Sequence, residues 1–240
     1  MEISKGVKIV DVGLKIGKHL IIADLHIGFE EALSKQGIFM PRFQFNDTIK
    51  KLNQMILVSK PEIIVVNGDL KHEFGTISMQ EWRETLKVLD LLLQNSKRVI
   101  LIKGNHDTII GPIAKKRNVD ITDNFLIEEG KKKILVMHGH VEPDKKLLKN
   151  KNIDLIIMGH EHPAISLREG AKTETYKCFL KGEYHKKELI VMPSFNPVTE
   201  GADILKEKLL SPLLNKRIDD FEVYVVSDRT YFFGKVRNIR

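Results

Sequence analysis

The chain is 240 residues long, 42% hydrophobic and 30% charged, with a formal net charge of +7. That length supports one good-sized core or two small ones, and the balance is that of a soluble globular protein. No apolar run approaches the roughly 18 residues of a membrane span, and a single cysteine, Cys178, excludes an internal disulfide framework and a Cys-rich zinc site.

In chain order, the opening MEISKGVKIVDVG has no secretory apolar core, so a cytoplasmic protein is expected. GLKIGKH (13–19) has the superficial look of a phosphate loop. It lacks both the G-x-x-x-x-G-K-[ST] spacing and the hydroxyl, and nucleotide binding there is rejected. Short runs rich in Ile, Val and Leu then read as buried strands: HLIIAD (19–24), EIIVVNGD (62–69), RVILIKGN (98–105), KILVMHG (133–139) and DLIIMGH (154–160). Residues 43–58 and 78–95 between them have helical spacing. In the second, Trp82, Leu86, Leu89 and Leu93 line one face, and Ser78 precedes Glu81 by three residues, a capping-box signature. Beyond about residue 163, ISLRE, TYKCFLKG, ELIVMP, FEVYVVS and TYFFGKVR read as strands joined by short turns. Cys178, in the second of these, is expected to be an inert, partly buried thiol. Strand–helix alternation followed by an antiparallel run predicts two sheets packed face to face with helices outside, in one domain over 1–240.

The basic clusters KKR (115–117), KKK (131–133) and DKKLLKNKN (144–152) are scattered and mixed with acids. Their charge suits a polyanionic partner such as nucleic acid, and equally a solvated surface. There is no zinc-finger or helix-turn-helix signature, so a DNA contact would use the rim of a crevice and these lysines.

The five buried strands share one property: each ends in residues able to ligate a metal. The ends are Asp24 with His26, Gly68-Asp69, Gly104-Asn105-His106-Asp107, His138-Gly139-His140 and Gly159-His160-Glu161-His162. In an α/β sheet, ligands bind outside the carboxyl ends of the strands, so parallel strands would gather these groups in one crevice. Carboxylates, imidazoles and one amide oxygen without a thiolate suit Mn²⁺, Fe²⁺, Zn²⁺ or Co²⁺. So many ligand-type residues are too many for one ion with an open position. They suit two ions about 3.5–4 Å apart that share a carboxylate, an arrangement for in-line displacement at phosphorus.

The ordered blocks DLH, GD, GNHD, HG and GHEH over residues 24–162 resemble the calcineurin-like metallophosphoesterase superfamily. ADLHIGFEEALSKQGIFMPRFQ and PSFNPVTEGADIL further resemble its compact members related to the DNA-ligase-associated (ICC-like) phosphoesterases. The resemblance implies an α/β fold, a four-layer αββα sandwich of two mixed β-sheets flanked by helices. It implies two divalent ions, manganese foremost, with iron, zinc, cobalt and nickel as alternatives. One would be held by Asp24, His26 and His162 and the other by Asn105, His138 and His160, with Asp69 bridging. His106 would face the substrate phosphate, and Asp107 would orient its imidazole and favour the protonated form. The reaction implied is hydrolysis of a phosphodiester by a metal-bridging hydroxide.

His72, His140 and Arg42 are candidate substrate contacts, each weighed against a supporting or merely solvated role. Glu161 is expected to point away from the metals, and His19 and His185 to stand outside the chemistry. The expected partner is a phosphoester substrate, with single-stranded or damaged DNA and repair proteins as candidates and no membrane; the oligomeric state stays open. The alternatives are a phosphatase or phosphodiesterase of a small soluble substrate, and a non-enzymatic scaffold. No expected ligand is missing, which disfavours the scaffold.

Overall fold

The computed structural model describes residues 1–38, 43–75, 77–149, 152–170, 172–215 and 218–239. The chain opens with an antiparallel meander, of which pattern reading passed over the first three strands: β1 (Glu2–Ser4), β2 (Val7–Val10) and β3 (Gly13–Ile16), which lead into β4 (His19–Ile22). These strands are three or four residues long, too short for periodicity to separate strand from loop. GLKIGKH is therefore the β3–β4 hairpin, consistent with rejecting it as a phosphate loop.

From β4 the sheet turns parallel. It continues through α1 (Phe29–Lys35), α2 (Gln44–Ser59), β5 (Ile63–Asn67), α3 (Met79–Gln94), β6 (Arg98–Ile102), α4 (Gly111–Lys116) and β7 (Asp120–Thr122). All seven strands lie in sequence order. Ser78 caps α3, its hydroxyl accepting from the Glu81 amide at 3.0 Å. The stripe along this helix packs as expected: Leu86 and Leu89 are buried, and Trp82 and Leu93 pack against the same cluster.

The chain then crosses to a second mixed sheet, built from β8 (Asn124–Glu129), β9 (Lys132–Met137), β10 (Leu155–Met158), β11 (Pro163–Glu169), β12 (Lys172–Tyr184), β13 (Lys187–Val191), β14 (Ala202–Asp203), β15 (Glu222–Val226) and β16 (Thr230–Lys235). The order is β14-β11-β12-β13-β10-β9-β8, with β15 and β16 added beside β12. Strands β9, β10 and β13 are parallel, which makes this sheet mixed as well.

The inner faces meet in one apolar layer. Ile21, Val65 and Ile100 of the first sheet pack with Val136, Ile157 and Ile190 of the second. Every residue of β4 and β10 is buried, as strands covered on both faces must be. Helices α2, α3 and α4 cover the outside of the first sheet. The outer layer of the second is thinner in helix: Leu148 of the short α5 (Lys145–Lys149) and the C-terminal residues Ile204, Leu213, Leu214, Ile218 and Phe221. Cys178 lies in that packing fully buried rather than partly, and burial pushes its thiol up.

Candidate active site

Strands β4, β5 and β6 of one sheet and β9 and β10 of the other deliver the ligand-type residues from their carboxyl ends. The loops after β4 and β5 stay paired beyond the sheet. The Asp24 amide donates to the Gly68 carbonyl at 3.1 Å, His26 to Asp69 at 2.9 Å and Ile27 to Leu70 at 3.0 Å. Asp24 and His26 are thereby fixed in register with Asp69. Five of the residues concerned hold left-handed backbone: Asp24 (φ 57°), His26 (46°), Asp69 (48°), His160 (65°) and His162 (50°). Each such residue stores strain of about 1 kcal/mol or more, a cost that concentrates at functional sites. Close approach explains Gly68 and Gly104: a Cβ on the first would enter the His138 ring, and on the second the Asp69 carboxylate.

Each carboxylate spends one oxygen on the backbone and turns the other inward. Asp24 Oδ2 accepts from the His160 amide at 3.0 Å, and Asp69 Oδ1 accepts from the His106 amide at 2.9 Å. Asp24 Oδ1 then lies 3.3 Å from His162 Nε2, which is itself 3.3 Å from His26 Nε2. On the other side, His138 Nε2 is 3.3 Å from Asp69 Oδ2 and 3.0 Å from Asn105 Oδ1. His160 joins Asp69 and His138 in that donor group. Asp69 Oδ2 also lies 3.8 Å from His26 Nε2, between the two groups.

These residues fit a metal. Among the described residues Asp24 Oδ1 is buried without a hydrogen-bond partner, a cost that a bound cation would relieve. The donor set is imidazole nitrogen and carboxylate or amide oxygen, which suits borderline divalent ions. The His138 Nδ1–H donates to the Asn67 carbonyl at 3.2 Å, which leaves Nε2 to face inward. Electrostatics already pair the acids and bases. Burial works against a charged His138, but the Asp69 hydrogen bond and the charges of Asp24 and Asp69 outweigh it and raise the imidazole to about 9. Burial works against Asp69 too, yet the bond to His138 holds its carboxyl below the usual range. Burial, then the neighbouring His162, presses His26 down to about 3; burial, then His138, presses His160 down to about 4.

His106 stands at the mouth, its Nε2 3.9 Å from Asp69 Oδ2. Its orientation does not come from Asp107, and that expectation is corrected. The Asp107 carboxylate is buried, accepting from the Gly104 amide at 3.1 Å and the Lys71 amide at 3.4 Å. Burial and Asp69 raise it to about 6. A carboxylate directly after a histidine in sequence turns inward here to close its own loop. The His106 Nδ1–H donates instead to the His72 carbonyl. The His72 ring sits behind the donor group, its Nδ1 3.4 Å from His26 Nδ1.

His140 faces an adjoining cleft of about 860 Å³ that shares Asn105 with the site and carries Lys103, Lys146, Glu142 and Asp144 on its walls. The buried Nδ1 of His140 has no hydrogen-bond partner among the described residues. Arg42 lies outside the described residues. Glu161 points away, its carboxylate accepting from the Leu210 and Ser211 amides at 3.0 and 2.8 Å. His19 bonds to the Ile16 carbonyl at 3.3 Å in the β3–β4 hairpin, and His185 packs against Tyr184.

Three supports escaped sequence reasoning. The fully buried Lys71 donates from Nζ to the His106 carbonyl at 2.6 Å and to the Glu73 carbonyl. Glu81 accepts from the His72 and Glu73 amides at 2.8 and 3.0 Å, so half of the expected capping box is diverted to the active-site loop. Ser194 and Asn196, in the PSFNP stretch, reach the Asp24 carbonyl through a hydroxyl at 2.8 Å and an amide at 3.3 Å. For this last pair the quoted stretch was a signal, though not of its role.

No helix among the described residues is long and apolar enough to cross a membrane. No curated protein matches the chain. Among solved structures, it resembles the nuclease MPE of Pseudomonas putida, with 18% identity and a TM-score of 0.62 over 93% of this chain and 92% of that one. It also resembles YfcE, a phosphoesterase from E. coli, with 16% identity and a TM-score of 0.44 over 92% and 99%. The first likeness establishes the shared fold. The sequence profile of the calcineurin-like phosphoesterases matches residues 17–164, more than half of the chain and the span that holds every residue of the donor groups. On that match, and on the fold and donors that bear it out, the chain belongs to the calcineurin-like phosphoesterase family of metal-dependent phosphoester hydrolases.

Proposed function

We propose that the protein is a dinuclear phosphodiesterase whose substrate is DNA, single-stranded or damaged. The observation that carries the dinuclear reading is Asp69 Oδ2, placed 3.3 Å from His138 Nε2 and 3.8 Å from His26 Nε2. One carboxylate oxygen thus borders both donor groups. Asp24, His26 and His162 would hold one ion, and Asn105, His138 and His160 the other. When bound, the pair supplies Lewis acidity at the phosphoryl oxygens and an acidified attacking water. Manganese is the first candidate, with iron, zinc, cobalt and nickel behind it.

The chain's own residues do the rest. His106 keeps its Nδ1 proton on the His72 carbonyl, which turns Nε2 to the cleft, where a second proton would make the ring cationic. From there it stabilises charge on the phosphoryl group or protonates the leaving oxygen. The His72 carbonyl and Lys71 hold the loop that carries it. DNA as substrate is supported by the net charge of +7 and by a fold shared with a protein named as a nuclease. A cytoplasmic setting and repair-protein partners belong to the same proposal.

The test is a purified-protein assay with Mn²⁺ against an aryl phosphodiester, an aryl phosphomonoester, single-stranded DNA and duplex DNA. Cleavage of the diester and of single-stranded DNA, lost on chelation and weakened by salt for DNA, is the expected result. Cleavage of the monoester alone overturns the proposal.

A further inference from the structure

An exposed aromatic side chain stands beside the proposed reaction centre. Phe74 is 57% exposed, and its ring packs on that of His106 with centroids 3.7 Å apart and planes inclined by 36°. Exposing a phenylalanine forfeits its burial, which is worth about 1.5–3 kcal/mol. Yet the backbone before it is firmly held. The Glu73 carbonyl accepts from the buried Lys71 ammonium, and the Glu73 amide donates to Glu81 at 3.0 Å. Two buried charged groups therefore fix a hydrophobic ring in solvent, against the imidazole at the site's mouth.

The volume of the site says what would meet that ring. The cleft over the donor groups, lined by His26, Asp69, Asn105, His106, His162 and Leu210, encloses about 240 Å³. Pockets that take in a whole small ligand run to roughly 300–1,000 Å³. This one admits the phosphoryl group and leaves the flanking substituents of a diester on the rim, where Phe74 stands.

We propose that Phe74 is a stacking platform for the nucleobase beside the scissile phosphate, so that the enzyme selects single-stranded nucleic acid. The inference rests on the phosphodiesterase reading above and names its substrate class. A base stacks on an aromatic side chain whatever its identity, so the contact is sequence-tolerant. Within a duplex both faces of each interior base are already occupied by neighbours. Duplex DNA therefore cannot use the platform without unstacking a base.

The test compares two oligomers of equal length and charge, oligothymidylate and its abasic counterpart. Both are given to the wild type, Phe74→Ala and Phe74→Trp. The readouts are kcat/KM with Mn²⁺ and fluorescence anisotropy with the metal omitted. The wild type is expected to favour the base-bearing strand by about 5- to 150-fold, the range of one stacked base. Phe74→Ala abolishes that preference and Phe74→Trp keeps it. A wild type that binds both strands equally, or a Phe74→Ala that keeps the preference, overturns the proposal. So does a Phe74→Ala that loses the same factor on both strands, since Phe74 then acts only through His106. A protein that binds with the preference and cleaves neither strand leaves the platform standing and removes the phosphodiesterase reading instead. Because Phe74 is exposed, both variants fold.

Discussion

The buried ammonium of Lys71 donates to the carbonyl of His106 at 2.6 Å and ties the loop after β5 to the loop after β6. It fixes the backbone of the residue proposed to face the substrate, from a position fully closed to solvent. Lys71→Met retains the stem and removes the donor, leaving the carbonyls of His106 and Glu73 without it. An orphaned buried acceptor costs about 1–3 kcal/mol, and unfolding in denaturant should show a loss of that order. kcat should fall about tenfold or more, as expected when a reacting group loses its position, while elemental analysis shows bound metal retained.

His106→Ala separates the imidazole from the metal site. Removing a positioned proton donor costs about 10²- to 10⁴-fold in rate. Turnover of an aryl phosphodiester should fall within that range at unchanged metal content. Full activity in the variant would strike His106 from the mechanism.

Held by Asp24 Oδ1 and the facing nitrogens of His26 and His162, a metal would be a folding ligand as well as a catalytic one. An ion present at 100 times its Kd stabilises by about 2.7 kcal/mol. Melting curves of the chelated protein should therefore rise on titration with Mn²⁺. Asp69→Ala removes the carboxylate proposed to serve both ions, and most of that rise should disappear with it. A melting temperature indifferent to Mn²⁺ would contradict the site.

Lys177 gives a pH signature away from the chemistry. Its Nζ donates to the Ser194 carbonyl at 2.8 Å and to the Asn196 carbonyl, the carbonyls of the same two residues that hold the Asp24 backbone. Burial, then the charge of Lys51, lowers it to about 7, against the partial opposition of Asp11 and Asp24. An unfolded lysine titrates near 10.4. Between those values the unfolded chain binds the extra proton, so stability from this group rises with pH from about 7 to about 10. Denaturant midpoints at pH 7 and pH 9.5 should show the rise, and Lys177→Met should flatten it.

Comparison of element with element shows what each level of description could reach. The five strands that carry the donors were legible because they are apolar throughout and end in abrupt polar blocks, a local contrast. The β1–β3 meander and β7 were not, because three- or four-residue strands carry too little pattern. Helix α3 was read with its Ser78 cap, but not the diversion of Glu81 to the His72 and Glu73 amides, which depends on a loop reached only in three dimensions.

What the sequence determined by itself is the chemical inventory: carboxylates, imidazoles and an amide at the ends of five apolar strands, in the order of a known family. These are properties of residue type and local spacing, and a one-dimensional record preserves them. Which group serves which was decided by tertiary structure alone. The His72 carbonyl, not Asp107, holds the His106 ring; Lys71 closes the loop; Phe74 stays in solvent. Hydrogen-bond partners and burial depend on distances between segments far apart in sequence, set when two sheets pack, and no local pattern encodes them.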